Sequence, residues 1–578
     1  MKFLKIKHFT IQIIPRVCSR LIGTSQKFYA PQNFSDYEEI RSYKQDQPEY
    51  FNFASDILDK WTAAEKDGSK TSNPALWWVN GERKEVKWSF DELGFHSRKV
   101  ANILSDACDL KPGDRVLVIL SRIPEWWMFN VACMRAGLVL IPGTIQLTAK
   151  DVLYRLQTSG ARCIITSQDL APAVDSISNQ APLLKTKMTV SGAREGWLNF
   201  QALYAAANDK HVCVRTQSTD PMTIFFTSGT TGSPKMVEHS QCSYGLGLTI
   251  AGKYWMDLTP SDVFWNISDT GWAKSAWSNI FAPWIQGSCV FSYYMPRVNT
   301  TVILETLTNY PITVFCSLPS VYRMLVLCNL ENYKFKSLQH CVGGGEPLSP
   351  LVMEQWKANT GLDIYEGFGQ SETVLVCGAF KGMKIKPGSM GKASPAYDVQ
   401  IVDADGNVLP PDQEGNFAIR IAPHRPFYLF THYTGDPEKT ASTQRGDFYL
   451  TGDRAIKDKE DYFWFVGRSD DVILSSGYRI GPFEIENALM EHPAVVESAV
   501  VSSPDPVRGE VVKAFIVLSP AYTAHDPETL IKEIQEHVKK VTAPYKYPRK
   551  IEFVQQLPKT IIGKVRRNEL RNKEWGKA

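Results

Sequence analysis

The hydrophobic positions of the chain fall into short apolar runs separated by longer segments of mixed polarity. Arg115–Leu120 is a β-rich run that follows the turn Lys111-Pro112-Gly113-Asp114. A segment of helical length spans Glu125–Leu140, and a second buried run, Arg162–Thr166, comes after it. Strand, helix and strand at this spacing predict a parallel sheet covered by helices. Further strand-like runs lie at Met222–Phe226, Val314–Ser317 and Gln339–Val342. From about Met390 the texture changes to short strands punctuated by Gly, Pro and Asp, namely Val399–Val402, the turn Asp405-Gly406 and Gly415–Ile421. That pattern predicts a β-rich subdomain.

A second change falls near Gly467. A helix is predicted from about Pro482, with strands at Ser498–Val501 and Val511–Leu518. A helix over Glu528–Val541 has Asp526 at its N-cap position and Pro527 at its first helical position. Leu530, Ile534, Val538 and Val541 form its apolar stripe, and Lys539 and Lys540 sit where the helix dipole favours cations. The predicted fold class is α/β. A large N-terminal domain (36–469) has parallel-sheet layers plus the β-rich subdomain, and a small α+β C-terminal domain (470–578) is joined to it by a hinge.

Composition narrows the function. The 578 residues include 64 basic and 61 acidic ones, for a net charge of +3. A balanced chain offers no electrostatic footprint for nucleic acid. The charge is unevenly placed, however. Residues 1–35 carry Lys2, Lys5, Lys7, Arg16, Arg20 and Lys27 with no acid before Asp36, which leaves −3 on the rest of the chain. Phe3, Leu4, Ile6, Ile11, Ile13 and Ile14 are interleaved with these cations, as in a cleavable presequence for the mitochondrial matrix. A basic tail and a short secretory signal are the other readings, although Lys5, Lys7 and His8 interrupt any apolar core of a signal peptide. The 11 cysteines form no C-x-x-C pair, so neither a disulfide framework nor a zinc site is expected. No apolar stretch is long enough for a transmembrane span.

Six clusters carry candidate chemistry. Thr227-Ser-Gly-Thr-Thr-Gly-Ser-Pro-Lys235 follows an apolar strand and leaves backbone and hydroxyl donors open to phosphate oxygens. It does not fit the Walker A spacing, and by itself it also fits a flexible surface loop. Gly343-Gly-Gly-Glu-Pro-Leu348, Tyr365-Glu-Gly-Phe-Gly-Gln-Ser-Glu-Thr373 and Tyr449-Leu-Thr-Gly-Asp453 come next. Gly467-Arg-Ser-Asp-Asp-Val-Ile473 sits at the domain change, and Leu557-Pro-Lys-Thr-Ile-Ile-Gly-Lys-Val-Arg566 near the end. There is no G-x-S-x-G nucleophile elbow.

In order and spacing these clusters resemble the adenylate-forming (AMP-binding) superfamily over nearly the whole chain after residue 45. Ser475–Pro482, Ser503–Glu510 and Ala543–Arg549 look like the mitochondrial medium-chain acyl-CoA synthetases. The resemblance implies a carboxylate:CoA ligase that forms acyl-AMP and pyrophosphate from ATP, then acyl-CoA and AMP. The alternatives are an aryl-acid (benzoate-like) ligase, an adenylating enzyme with another acceptor, and a non-catalytic acyl- or nucleotide-binding relative. It implies ATP, coenzyme A and a small carboxylic acid as substrates and Mg²⁺ as cofactor. Oligomeric state is left open.

By resemblance, the ATP-binding residues are Ser228, Gly229, Thr230, Thr231, Gly232, Ser233, Pro234, Lys235 and Met236, with Glu366, Gly367, Phe368, Gly369, Gln370 and Ser371. Asp453, Arg468, Arg479 and Lys564 complete that set, and Gly344–Pro347 lies nearby. Glu372 is the implied Mg²⁺ ligand, and Lys564, Glu372 and Ser371 are the implied catalytic residues. Coenzyme A contacts are assigned to Gln146, Ser476, Gly477, Tyr478, Arg508, Tyr547, Pro548 and Arg549, and the hinge to Asp470. Asp269–Trp277 resembles the acyl-lining segment, with Trp272 as a gate and Trp277 behind it. Phe368 and Ser371 stand where Tyr and Thr are usual, and Leu474 where Lys or Asn is frequent.

Lys564→Ala is expected to abolish acyl-AMP formation while sparing thioester formation from supplied acyl-AMP. A bulky side chain at Gly477 should do the reverse. Separate assays of the two half-reactions check both, and an equal loss in both for Lys564→Ala would contradict the role.

Overall fold

The structure, a computed structural model, describes residues 37–576 apart from 71–72, 83, 228–233, 476–477, 507, 543 and 560–564. The presequence reading therefore lies outside the described residues, as do the phosphate-loop core, Ser476, Gly477 and Lys564.

Among the described residues the strands form four sheets. The first has six parallel strands at its centre, in the order Ile364–Gly369, His340–Gly344, Val314–Ser317, Val263–Asn266, Cys289–Tyr293 and Leu76–Val79. Antiparallel strands close its two edges. The second also has a parallel centre, in which Pro221–Thr227, Val139–Gly143, Arg115–Ile119, Cys163–Thr166 and Thr186–Thr189 follow one another. The central strands are buried along nearly their whole length, because helices cover both faces, and this is why they read as continuous apolar runs. The β-rich region is an antiparallel sheet of Val399–Val402, Glu414–Arg420, Phe448–Lys457 and Phe463–Arg468, with the short strand Gln444–Arg445 at one edge.

The fourth sheet contains Ile473–Ser475, Tyr478–Ile480, Val495–Asp505, Gly509–Leu518 and Lys550–Phe553. Its face packs on the helices Pro482–Met490 and Pro527–Val541 through Ile485, Leu489, Leu530, Ile534 and Val538. Asp526 accepts the amide of Thr529, so the cap read from sequence is formed. Val541 is the exception in the apolar stripe. It is 44% exposed, because the chain turns extended at Thr542 and carries it off the sheet.

The segment Glu125–Leu140 also differs from its sequence reading. The helix is Pro124–Arg135, Gly137 takes a left-handed φ of 66°, and Leu140 already belongs to the strand Val139–Gly143. The residues in between are as buried as the helix itself, so hydrophobicity does not mark the boundary.

The two large sheets meet where their parallel strands end. Gly271, after Val263–Asn266, lies so close to Thr144, after Val139–Gly143, that a Cβ on it would stand 2.3 Å from the Thr144 nitrogen. The Thr270 hydroxyl donates to the carbonyl of Leu120. Arg122 donates to the carbonyls of Ile267 (3.1 Å) and Met295 (3.0 Å). The glycine of the Asp269–Trp277 segment is thus required by backbone approach. Gly271→Ala should force the sheet ends apart at a cost of about 1–3 kcal/mol, seen as a lower thermal midpoint. An unchanged midpoint would show that the contact yields freely.

Candidate active site

In open parallel sheets, loops at the carboxyl ends of the strands form the binding crevice. Here the strand Ile364–Gly369 leads into Gln370, Ser371 and Glu372 at such an end. The Gln370 amide donates to Asp453 Oδ2 (2.6 Å) and to the Thr451 carbonyl (2.9 Å). Asp453 is 2% exposed and pairs in register with Arg468, whose Nη1 reaches Asp453 Oδ1 at 3.1 Å. Burial alone would lower the Arg468 pKa, but the carboxylates of Asp453, Asp470 and Glu372 outweigh it and hold the pKa up.

Glu372 and Lys235 share one aromatic ring. The Tyr433 hydroxyl donates to Glu372 Oε1 (2.8 Å), and Lys235 Nζ lies 5.5 Å from the ring centroid. Lys235 follows from hairpin register, since Thr227 pairs with Lys235 and residues 228–234 connect their strands. Pro234 is held by the Tyr154 hydroxyl on its carbonyl (2.9 Å), and Met236 is buried with its carbonyl accepting from Thr434. Burial and Lys439 lower the Lys235 pKa, and Glu372 opposes them. Behind Ser371, buried His239 bonds to its carbonyl through Nε2 (2.6 Å) and to Ser243 through Nδ1 (3.0 Å). Burial brings its pKa down to about 4, against the Ser371 carbonyl, which favours the charged ring, so it stays neutral.

Glu366, Gly367, Phe368 and Gly369 line the strand itself. Gly344 must lack a side chain, since a Cβ there would stand 2.4 Å from the Gly367 carbonyl oxygen. The Phe368 ring packs against Phe417 at 5.3 Å. Trp277 is buried, with its ring 2.6 Å from where a Cβ on Gly369 would be. Trp272 is half-buried and caps the helix Ala273–Ala276. Glu366 is 5% exposed, and its Oε1 accepts the Leu348 amide (3.2 Å). Oε2 has no hydrogen-bond partner among the described residues.

The coenzyme A candidates form separate groups. Arg549 Nη1 donates to the Tyr547 hydroxyl (2.9 Å), and the Pro548 carbonyl is held by Gln535 (2.9 Å). Tyr478 is exposed and stacks on Tyr545 at 4.3 Å. Arg508 is exposed, with its amide on Asp505. Gln146 is exposed in the turn after Val139–Gly143, beside the Thr144–Gly271 contact. Arg479 occupies the strand Tyr478–Ile480 opposite Leu474, which is 52% exposed. Arg468 Nε lies 3.8 Å from Asp470 Oδ1. Arg571 donates to the Asp470 carbonyl and to Asp471 (2.8 Å).

Several participants escaped the sequence reading. Tyr433 and His239 carry no local motif. Arg122 follows a strand with nothing to mark it as a sheet-to-sheet tie. Lys274 stood inside the acyl-lining segment, and its cationic side chain was the available signal.

No cluster of three His, Cys, Asp or Glu among the described residues could hold a metal unaided. A lone carboxylate such as Glu372 nevertheless suits Mg²⁺, which takes one or two carboxylates and completes its shell with phosphate oxygens and water.

Burial pushes the Glu366 pKa up to about 8, with the Leu348 amide opposing, against 4.5 for the free side chain. Folded Glu366 thus keeps its proton over the interval in which the unfolded chain loses it. Stability from this group is complete below about pH 4.5 and declines as pH rises toward 8. Glu366→Gln has no such proton. Its thermal midpoint is expected to gain on the wild type progressively from pH 5 to 8, and a pH-independent difference would refute the neutral carboxyl.

Residues 63–424 match the family model described as AMP-binding enzyme, and residues 484–564 match that of the AMP-binding enzyme C-terminal domain. The chain is 65% identical over 558 residues to the mitochondrial acyl-coenzyme A synthetase ACSM3 of Homo sapiens, covering 96% of this chain and 95% of that protein. It is 61% identical over 542 residues to the mitochondrial acyl-coenzyme A synthetase ACSM5 of Homo sapiens, covering 94% and 93%. Among solved structures, the anthranilate CoA ligase AuaEII in complex with anthranoyl-AMP superposes with a TM-score of 0.82 at 28% identity, covering 92% of this chain and 98% of that one. With a family match over most of its length, a site at the strand ends and relatives aligned nearly end to end, the chain belongs to the family of AMP-binding enzymes.

Proposed function

We propose that this protein is a medium-chain carboxylate:CoA ligase of the mitochondrial matrix. The single observation that carries the reading is the convergence of Lys235, Glu372, Gln370, Asp453 and Arg468 at one strand end. Nearly full-length likeness to mitochondrial acyl-coenzyme A synthetases supports it.

In the first half-reaction the acid's carboxylate oxygen attacks the α-phosphorus of ATP. The bond to the bridging oxygen breaks, and pyrophosphate leaves with its electrons. In the second, the coenzyme A sulfur attacks the acyl carbon, AMP leaves as an anion, and the thiol proton passes to solvent. Negative charge moves between oxygens in both steps, so fixed cations and donors supply the catalysis. Lys235, with the hydroxyl residues that precede it in sequence, would bind the phosphates. Asp453 accepts the ribose hydroxyls, with Gln370 and Arg468 holding its carboxylate still. Glu372 would hold Mg²⁺, which offsets phosphate charge when it is bound. Lys564 serves the first half-reaction, and the Gly477 segment serves the second.

The division at Asp470 into segments 36–469 and 470–578 is part of the proposal, as is the presequence at 1–35. Hinges are boundary residues that absorb a backbone change, and the ties of Arg468 and Arg571 to Asp470 flank such a position. Tyr547, Arg549 and Arg508 suit the phosphates of coenzyme A.

ATP- and coenzyme A-dependent release of AMP, measured across acids of graded length and aromaticity, tests the reading. Activity is expected to peak at medium-chain acids. A peak at benzoate-like acids would replace the substrate class, and near-zero rates across the panel would refute ligase function.

A further inference from the structure

The turn Gly343–Leu348 connects the strand His340–Gly344 to the helix Pro350–Thr360 and is held by three side chains. The Ser320 amide donates to Glu346 Oε2 (3.2 Å), and the Leu348 amide to Glu366 Oε1 (3.2 Å). The third tie is Lys274, whose ammonium donates to the Gly344 carbonyl and to the Ser317 carbonyl (3.2 Å). Its stem runs beneath the turn, with Cδ 4.0 Å from where a Cβ on Gly345 would stand. Gly345 has φ +101°, which fits glycine and leaves this crossing open.

Lys274 differs from the other two ties in origin. It belongs to the short helix Ala273–Ala276, directly after Trp272, in the segment read as lining the acid pocket. No carboxylate among the described residues lies within ion-pairing distance of it. Burial lowers its pKa, and Cys316 and Glu346 are the ionisable groups that oppose this. Lys274 is half-buried, and its amine ends on carbonyls with no carboxylate beside it, whereas a methionine of similar length would fill the same space with no polar group to satisfy. Packing therefore does not account for this side chain. Its bonds to two strand-end carbonyls do.

We infer that Lys274 is a positioning residue whose ammonium locks the nucleotide-side turn Gly343–Leu348 to the acid-side segment Asp269–Trp277. Acid and ATP then meet on a platform with one fixed geometry, and the in-line approach of carboxylate to phosphorus is set before either binds. The inference rests on the proposed ligase reading for the identity of the two substrates.

The test compares Lys274→Met and Lys274→Arg with the wild type. For Lys274→Met, weaker ATP binding by direct titration and a higher KM for ATP in adenylation are expected, each by about tenfold, the size of one charged hydrogen bond. The KM for coenzyme A, and the rate of thioester formation at saturating acyl-AMP, are expected to stay within about twofold of the wild type on the same reasoning, because neither is routed through the turn. Lys274→Arg keeps the charge and should recover most of the ATP affinity. Wild-type ATP binding in a folded Lys274→Met protein overturns the inference. So does equal loss in both half-reactions, or failure of both variants to fold, which would make Lys274 a folding residue. ATP titration needs no turnover, so an inactive wild type would count against the ligase reading while the titration still decides the role of Lys274.

Discussion

The constraint on which the rest depends is the approach of two parallel sheets at the carboxyl ends of their strands. Backbone meets backbone at Thr144 and Gly271, a distance that only a missing side chain permits. Around that contact Arg122 and Thr270 supply donors to carbonyls that have left their own ladders. A buried carbonyl without a donor is expensive, so these bonds are the condition on which the sheet ends can be buried at all. Segment 269–277 leaves from a strand end held in this way, and the turn 343–348 is tied to that segment through Lys274.

Burial then shapes the chemistry. Glu366 is kept neutral by the same enclosure that lets it hold the Leu348 amide. His239 is kept neutral and serves as a fixed bridge between Ser371 and Ser243. Asp453, in contrast, is buried as an anion that has its compensation in Arg468 and Gln370. Inside a protein an unpaired polar group costs more and a paired one holds more firmly than in water. The buried pairs around Asp453 and Ser371 are therefore firmly held. The positions of the cations Lys235 and Arg468 are set by hairpin and strand register.

The strands were the most legible part of the fold. Arg115–Leu120, Arg162–Thr166 and Val314–Ser317 are buried on both faces, so their apolar runs survive in the sequence without ambiguity. Boundaries within equally buried stretches were not legible, as at Arg135–Leu140, where a single left-handed glycine separates helix from strand. Val541 shows the complementary limit, since its periodic position is apolar but the sheet ends before reaching it. In the site, Gln370, Glu372, Asp453 and Arg468 could be named because they stand in ordered motifs. Tyr433, His239 and Arg122 could not, because each acts through a partner more than 60 residues away in the chain.

By itself the sequence determined the order of elements, the α/β class and the residue types available for phosphate and carboxylate chemistry. Those properties follow from local periodicity, turn chemistry and motif spacing, which are written in neighbouring residues. Tertiary structure alone decided which carboxyl is neutral and which is ionised, and which lysine faces solvent or backbone. It also decided which glycines are required by a neighbouring chain. The reason is that desolvation and close contact are properties of the whole packed environment. Lys235 and Lys274 are the same residue type. One lies beside the Glu372 carboxylate and the Tyr433 ring, and the other is enclosed between two strand ends.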